Sequence, residues 1–502
     1  METIMFQMKK AKIRALAVAF VAVFHFVESS PAFAETVSLS LTESIAMALT
    51  ADESISAAEA RERAADYGLS AARRAKLPVI SWRSEAYRIG GDSYKSANDA
   101  HNAYGDPHEG DYSPLYVAKD GTKILGSPVT VGSYAFNNTF SNSWNLTVPL
   151  YSGGNLEGAI AANRYGLNSA NLNVENALQT VRFRVAEAYS NLLHRENLKN
   201  VANNAVQLAK AQLDFINVQF KEGYLAKADV LAMEVSLANY EQNLVNAEGN
   251  LAVAKGNLAS LLGLPQDEDI RATDVFTYEP YEKDLEWCIS YAMLHRPDGK
   301  AAEYNVKRYE AERDAVKSGY RPRISGVAGK SMASNKFFGH ERNDSWEAGI
   351  SLSWNIFDSG VTSAKEKQAT AVVEQYQAEA DRIKKAIRLE VQNAYIQMRV
   401  AEKNIKKATV AVQQAKQSYR IAQVRYDEGE DILLNVTNAQ EKLTQAESNY
   451  YTALYNYNLY RATLEKAMGV GVRLDVNRYA EAVEKGASSS KALAAGAIND
   501  DE

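Results

Sequence analysis

Four carboxylates crowd one short stretch of this 502-residue chain: Asp427, Glu428, Glu430 and Asp431, in "DEGEDILLN". Such a cluster concentrates negative field and attracts cations. A related stretch, "KEGYLAKAD", carries Lys221, Glu222, Lys227 and Asp229. If copies of both stretches surrounded one opening, Lys221 and Lys227 would offset the acids. Each exposed pair is worth only about 0.2–1 kcal/mol, so a ring of them could close a passage and still yield. The plainer alternative is a solvated acidic turn.

Other chemistry fails on spacing. "SGVAGKS" (325–331) echoes a phosphate loop, but the glycine required five residues before Gly329 is Ile324. "HEG" (108–110) lacks the second histidine of a zinc-protease helix. The single cysteine, Cys288, lies in an apolar helical stretch that suits packing, and no disulfide can form within a chain. No acid/base pair, triad or Cys/His cluster is visible, so neither enzyme activity, cofactor nor metal is expected. The net charge of −6 leaves no basic footprint for nucleic acid.

The two candidate stretches correspond because the chain is duplicated. "AVQLAK" at 205–210 returns as "AVQQAK" at 411–416, an offset of 206 (411 minus 205). At that offset Leu146, Gly154, Arg182 and Tyr189 fall on Leu352, Gly360, Arg388 and Tyr395, and Gly223 on Gly429. Upstream, "LPVIS" (77–81) faces "RPRIS" (321–325) at offset 244, so the first copy carries 38 extra residues (244 minus 206) between Ser81 and Leu146. That segment is rich in Gly, Asp, Pro, Ser and Tyr and is expected to be a long hairpin loop.

Each copy predicts one order of elements. A helical stretch (about 42–76, and 284–319) ends at Pro78 or Pro322. Two short strands follow, then a very long helix (about 155–220, and 361–426), a tight turn, and a returning helix (about 229–262, and 435–468). Proline is absent from 150–264 and from everything after 322. Because proline costs about 3 kcal/mol inside a helix, its absence permits these lengths. Ala, Gln, Asn, Glu and Lys with spaced apolar residues give the helices coiled-coil chemistry. Asn435 lies opposite Asp229, and both are expected to cap the returning helices.

In "SWNLTVPLY" Trp144, Leu146, Val148 and Leu150 alternate with polar residues; in "GISLSWNIF" Ile350, Leu352, Trp354 and Ile356 do so. An apolar outer face over a polar inner one is the pattern of a transmembrane β-barrel strand. Segments 80–91 and 324–334 are the expected partners. Four strands per chain are too few for a barrel, and open edges cannot face lipid, so copies would have to share one. The N-terminus has Lys9, Lys10, Lys12 and Arg14, the apolar run "ALAVAFVAVFHFV" and a small-x-small site at Ala32 and Ala34. Together these predict a cleaved export signal.

The ordered, duplicated motifs resemble the TolC family of outer-membrane efflux and secretion channels. They are "LSLTESIAMALTADESISAAEA", "LPVIS" and "RPRIS", "VPLYSGG" and "WNIFDSG", "FKEGYLAKADVL" and "RYDEGEDILLNV", "LASLLGLP" and "LEKAMGVG". The resemblance implies a mainly α fold with a membrane β-barrel, assembled as a homotrimeric channel-tunnel. It implies lodging in outer-membrane lipid, extension into the periplasm, and docking to a periplasmic adaptor and an inner-membrane pump for efflux or type I secretion. It also implies a periplasmic gate at the turns. Where best-known members carry two gating aspartates, this chain has Asn435 and Asn438.

The expected organisation is a signal peptide (1–34), a first repeat (35–264), an equatorial segment (265–283), a second repeat (284–470), and a C-terminal equatorial segment with a disordered tail (471–502). A non-channel coiled-coil periplasmic scaffold or adaptor protein is the alternative function, but a scaffold has no use for paired amphipathic strands.

Overall fold

The computed structural model describes residues 37–88, 115–117, 123–125, 138–265, 268–334 and 343–471. The expected signal, "HEG" and the C-terminal tail lie outside them. The chain divides into a helical unit (residues up to Asp66, Tyr165–Val306, and from Glu374 onward) and a strand-bearing unit (Tyr67–Arg164 and Lys307–Val373).

In chain order the elements are β1 (Val37–Leu39), α1 (Leu41–Ala51), α2 (Glu53–Arg74), β2 (Val79–Arg88), β3 (Leu115–Val117), β4 (Lys123–Leu125), β5 (Asn138–Tyr151), α3 (Asn155–Lys221) and α4 (Lys227–Leu262). Then follow β6 (Ile270–Ala272), α5 (Leu285–His295), α6 (Pro297–Val316), β7 (Arg323–Ser334), β8 (Asn343–Ser353), α7 (Val361–Asp427) and α8 (Leu433–Met468). The proline-free stretches are thus the long helices α3 and α7, 67 residues each.

The first helical stretch of each copy is broken, contrary to the continuous helix expected. The breaks fall at Asp52 and Arg296, equivalent positions at offset 244, both in extended conformation. At the first, Asp52 Oδ1 accepts from the Ser54 N–H at 2.7 Å. At the second, Pro297 opens α6, where its missing N–H costs nothing. The 38-residue insertion is not purely loop: Leu115–Val117 and Lys123–Leu125 pair antiparallel within it.

In the helical unit, buried residues on α3 repeat as Val181, Val185, Tyr189 and Leu192, and on α7 as Ile387, Val391, Ala394, Met398, Ala401 and Ile405. These alternating steps of three and four form a coiled-coil seam. The α3 seam packs with α4 around the parallel pair β1 and β6, and the Tyr189 hydroxyl bonds the Leu39 carbonyl and Asp274 Oδ2, both at 2.9 Å. The α7 seam packs with α5 and α8, where Cys288 is buried and its thiol held up by that burial. The two seams are joined by an α3–α8 contact: Arg182 pairs with Glu465 at 2.6 Å, and Gln440 Nε2 donates to the Ala205 carbonyl at 2.9 Å. Across the helical unit the helices therefore run α4, α3, α8, α7.

His194 is sealed into the α3–α8 contact, stacked on Tyr455 at 4.7 Å, with no hydrogen-bond partner for Nδ1. Burial, reinforced by Arg195, lowers its pKa from 6.5 to about 4. The folded chain therefore refuses a proton that the unfolded chain accepts, and stability is lost as pH falls from 6.5 toward 4. The loss should reach about 2 kcal/mol per chain near pH 5. His194→Phe should flatten the fall in melting temperature between neutral pH and about pH 5. An unchanged pH profile would place that proton elsewhere.

Candidate functional site

The sequence nominates two places: the turns between long and returning helices, and the apolar face of the strands. Both turns are built alike. Gly223 and Gly429 each take φ of +79°, a left-handed conformation that glycine adopts without strain. Each closes its long helix with a Schellman pair: Tyr224 N–H to the Gln219 carbonyl at 2.9 Å, and Glu430 N–H to the Arg425 carbonyl at 2.8 Å. A Cβ at either glycine would meet nothing within 4 Å, so only the dihedral demands glycine there.

Behind the turns, α3, α4, α7 and α8 bury one cluster: Ile216, Val230, Met233, Tyr419, Tyr426, Leu433 and Val436. Both turns therefore belong to one tip. Tyr426 packs edge-on to Phe215 at 6.3 Å, and burial, with Asp229 and Asp427 nearby, pushes its pKa up.

Asp427, Glu428 and Glu430 are exposed, as are Lys221, Lys227, Asn435 and Asn438, while Asp431 and Asp229 are half-buried. Asp427, Glu428 and Glu430 sit at the C-terminal end of α7, where the helix dipole disfavours negative charge. Stability would favour lysine there, as α3 has at Lys221. Neither Asn435 nor Asp229 caps its helix: α8 and α4 start earlier, with Ile432 and Ala226 at the N-cap and no side-chain cap bond. Asn435 instead donates Nδ2 to Asp431 Oδ1 at 2.6 Å, and that bond, with the Ile432 N–H, lowers the Asp431 pKa. Within one chain, among the described residues, no three ligating groups converge to hold a metal ion.

The strands form one antiparallel sheet in the order β2-β5-β7-β8. Register gathers the candidates onto one face, in rows Ile80–Leu146–Ala328–Ala348, Val148–Gly326–Ile350 and Ile324–Leu352. The other face carries Ser81, Asn145, Thr147, Ser325, Gly329, Glu347 and Ser351. Ile350 and Leu352 are 73% and 63% exposed. β8 ends at Ser353, short of the expected strand, so Trp354 and Ile356 lie beyond it. Trp354 remains tied there, Nε1 donating to the Tyr320 carbonyl at 3.1 Å. "SGVAGKS" lies inside β7, hydrogen-bonded on both sides, and is not a phosphate loop.

Sequence reasoning missed a third feature. α4 exposes Leu231, Val235, Val245 and Val253, and α7 exposes Leu389, Ile396, Val400, Val410 and Ile421, each along the side opposite its buried seam. The period of these residues was legible, but two apolar stripes on one helix read alike until the packing shows which is used.

A sequence profile described as outer membrane efflux protein matches residues 44–264 and 288–470. The solvent efflux pump outer membrane protein SrpC and the toluene efflux pump outer membrane protein TtgI, both of Pseudomonas putida, are each 28% identical over 191 residues. These matches cover 37% of this chain and 40% of each relative, less than half of their length. The outer membrane protein VceC of Vibrio cholerae superposes with a TM-score of 0.70 at 17% identity, over 86% of this chain and 96% of that one. The CmeC outer membrane channel of Campylobacter jejuni gives 0.69 at 17% identity, over 88% of each. With both halves matched by the profile, the chain belongs to the outer membrane efflux protein family, the channel family of TolC.

Proposed function

We propose that three copies of this chain close into a passive duct of the outer membrane that continues into the periplasm. The observation that carries this reading is that each layer ends in two open edges. Among the described residues, β2 and β8 each have one partner in the sheet; in the helical unit, the outermost helices α4 and α7 carry exposed apolar stripes. Unlike edges on one chain make a head-to-tail contact, which forms a ring when the rotation between copies closes. β8 of one copy meets β2 of the next in antiparallel sense, and three copies supply a 12-stranded barrel, above the minimum of about eight. α7 meets the neighbour's α4 in the same way.

In this reading residues 35–264 and 284–470 are two repeats around the ring, 265–283 lies at its equator, and 1–34 directs export. The duct docks a periplasmic adaptor and an inner-membrane pump, which supplies the energy. The names of SrpC and TtgI favour small molecules as cargo. The paired amphipathic strands disfavour a periplasmic scaffold.

Three tips then surround one opening, with Asp427, Glu428 and Glu430 as its charge and Lys221 and Lys227 as counter-charges. Asp431 and Asn435, bonded to each other, brace the turn; Asn438 lies one helical turn further. The test is single-channel recording in planar bilayers. Asp427→Asn with Glu430→Gln should lower cation selectivity and weaken divalent block, and Lys227→Glu should raise resting conductance. If the protein forms no channels, the duct reading fails. If both variants conduct like the parent, the tip acids are surface charge and the constriction lies elsewhere.

A further inference from the structure

The two repeats agree in register as well as in order. Offsets of 244 (324 minus 80) and 206 (352 minus 146) turn the strand pair Ile80↔Leu146 into Ile324↔Leu352, and Arg88↔Asn138 into Met332↔Asp344; all four pairings occur. The offset of 206 also turns α3 into α7 and α4 into α8, end for end. One contact has no counterpart of its own. α3 packs on α8 within the chain, and the equivalent contact, α7 on α4, joins the two outermost helices and is open to a second copy.

The α3–α8 contact ends in a polar clasp. Gln179 Nε2 donates to the Gly469 carbonyl at 3.2 Å and Arg182 Nη1 to the Gly471 carbonyl at 3.0 Å, while Arg182 Nη2 meets Glu465. The last carbonyls of a helix have no partner inside it and form the negative end of its dipole, so cationic donors suit them. Shifted by 206, Gln179 and Arg182 become Lys385 and Arg388 on α7, and Gly469 and Gly471 become Gly263 and Pro265 at the end of α4. α4 closes as α8 does, on a left-handed glycine (φ of +71° and +72°), but its last turn carries no basic residue. Lys385 and Arg388 are exposed, and among the described residues neither has a hydrogen bond or an ion pair. Glu465 becomes Ala259, which leaves Arg388 with carbonyls alone as acceptors. Further along, the stacked pair His194 and Tyr455 becomes Val400 and Gly249. Val400 is 52% exposed, and a Cβ on Gly249 would meet nothing within 4 Å, so there is room for the one against the other.

We propose that the contact between copies repeats the α3–α8 contact in register, with Arg388 of one copy clasping the C-terminal end of α4 in the next. The inference rests on the ring of copies argued above. Arg388 donates to the Pro265 carbonyl of the next copy, Lys385 to its Gly263 carbonyl, and Val400 seats on its Gly249. The clasp gives α4 the cation its own last turn lacks, and it fixes the height at which neighbours meet.

The test uses the intact protein in detergent. Sedimentation of the parent comes first; if it runs only as a monomer, the ring reading fails and the clasp with it. Val400→Cys with Gly249→Cys should then link neighbouring copies on oxidation, because the equivalent rings lie 4.7 Å apart. Lys407→Cys with Gly249→Cys, displaced by about 10 Å along α7, should not. Trimers that link through the displaced pair, or through neither, would overturn this register while leaving the ring intact. Arg388→Gln should raise the dissociation constant of the contact about tenfold, the value of one hydrogen bond to a charged group. Arg388→Lys should fall between the two, and far-ultraviolet circular dichroism should be retained in both. Trimers as tight in Arg388→Gln as in the parent would overturn the clasp.

Discussion

Arginine in place of Ile350 should leave the protein out of the outer membrane. Ile350 stands midway between Trp346 and Trp354, which bracket the apolar face of β8. In a barrel that position lies near the midplane, where an outward arginine costs about 2–4 kcal/mol. In the proposed trimer three copies would carry it, so the ring would bear that cost three times. The neighbouring change Ser351→Arg is the control, because Ser351 points to the polar face. Fractionation should find the Ser351 variant assembled in the outer membrane and the Ile350 variant unassembled or degraded. If both assemble alike, the face gathered by the cross-strand register does not meet lipid.

Glutamate at both Ile396 and Val400 should hold the protein as monomers. These residues are 48% and 52% exposed on α7, on the side opposite the buried Val391, Ala394 and Met398. If α4 of the next copy covers them, each closing contact loses two buried side chains, worth about 1.5–3 kcal/mol apiece, and gains two desolvated carboxylates. The complementary change, Leu231→Glu with Val235→Glu on α4, should act equally, since the contact joins unlike edges. Sedimentation in detergent would show the loss of trimer, while far-ultraviolet circular dichroism should be retained because neither pair enters a buried cluster. Trimers of normal stability in both variants would remove these stripes from the subunit contact.

The long helices and the strand rows were legible because each obeys a strong one-dimensional rule. Proline's absence permits α3 and α7, and alternation from Trp144 to Val148 and through Ile350 and Leu352 sets the strand faces. The offset between Gly223 and Gly429 places the turns without any structure. What stayed hidden depends on neighbours in space. Nothing in the Ala-rich run around Asp52 announces a break, since an aspartate accommodated by helix and by turn is decided by its local bond to Ser54. Asn435 reads as a cap until the helix is seen to start at Leu433, which turns its amide toward Asp431 instead. The tip acids were visible as a cluster, but not their place at the unfavourable end of the α7 dipole.

Cys288, the sole cysteine, is fully buried among α5, α7 and α8, with its sulfur 3.4 Å from the Tyr281 hydroxyl. A maleimide therefore finds no target on the native chain. Cysteines introduced at exposed positions such as Asn438 or Glu222 can be tagged with a fluorophore without first deleting the native thiol, so energy transfer between tags can gauge the separation of the tips. The same sealed sulfur is a clock for opening of its own helices, since it can be alkylated only in molecules whose α5 has come away.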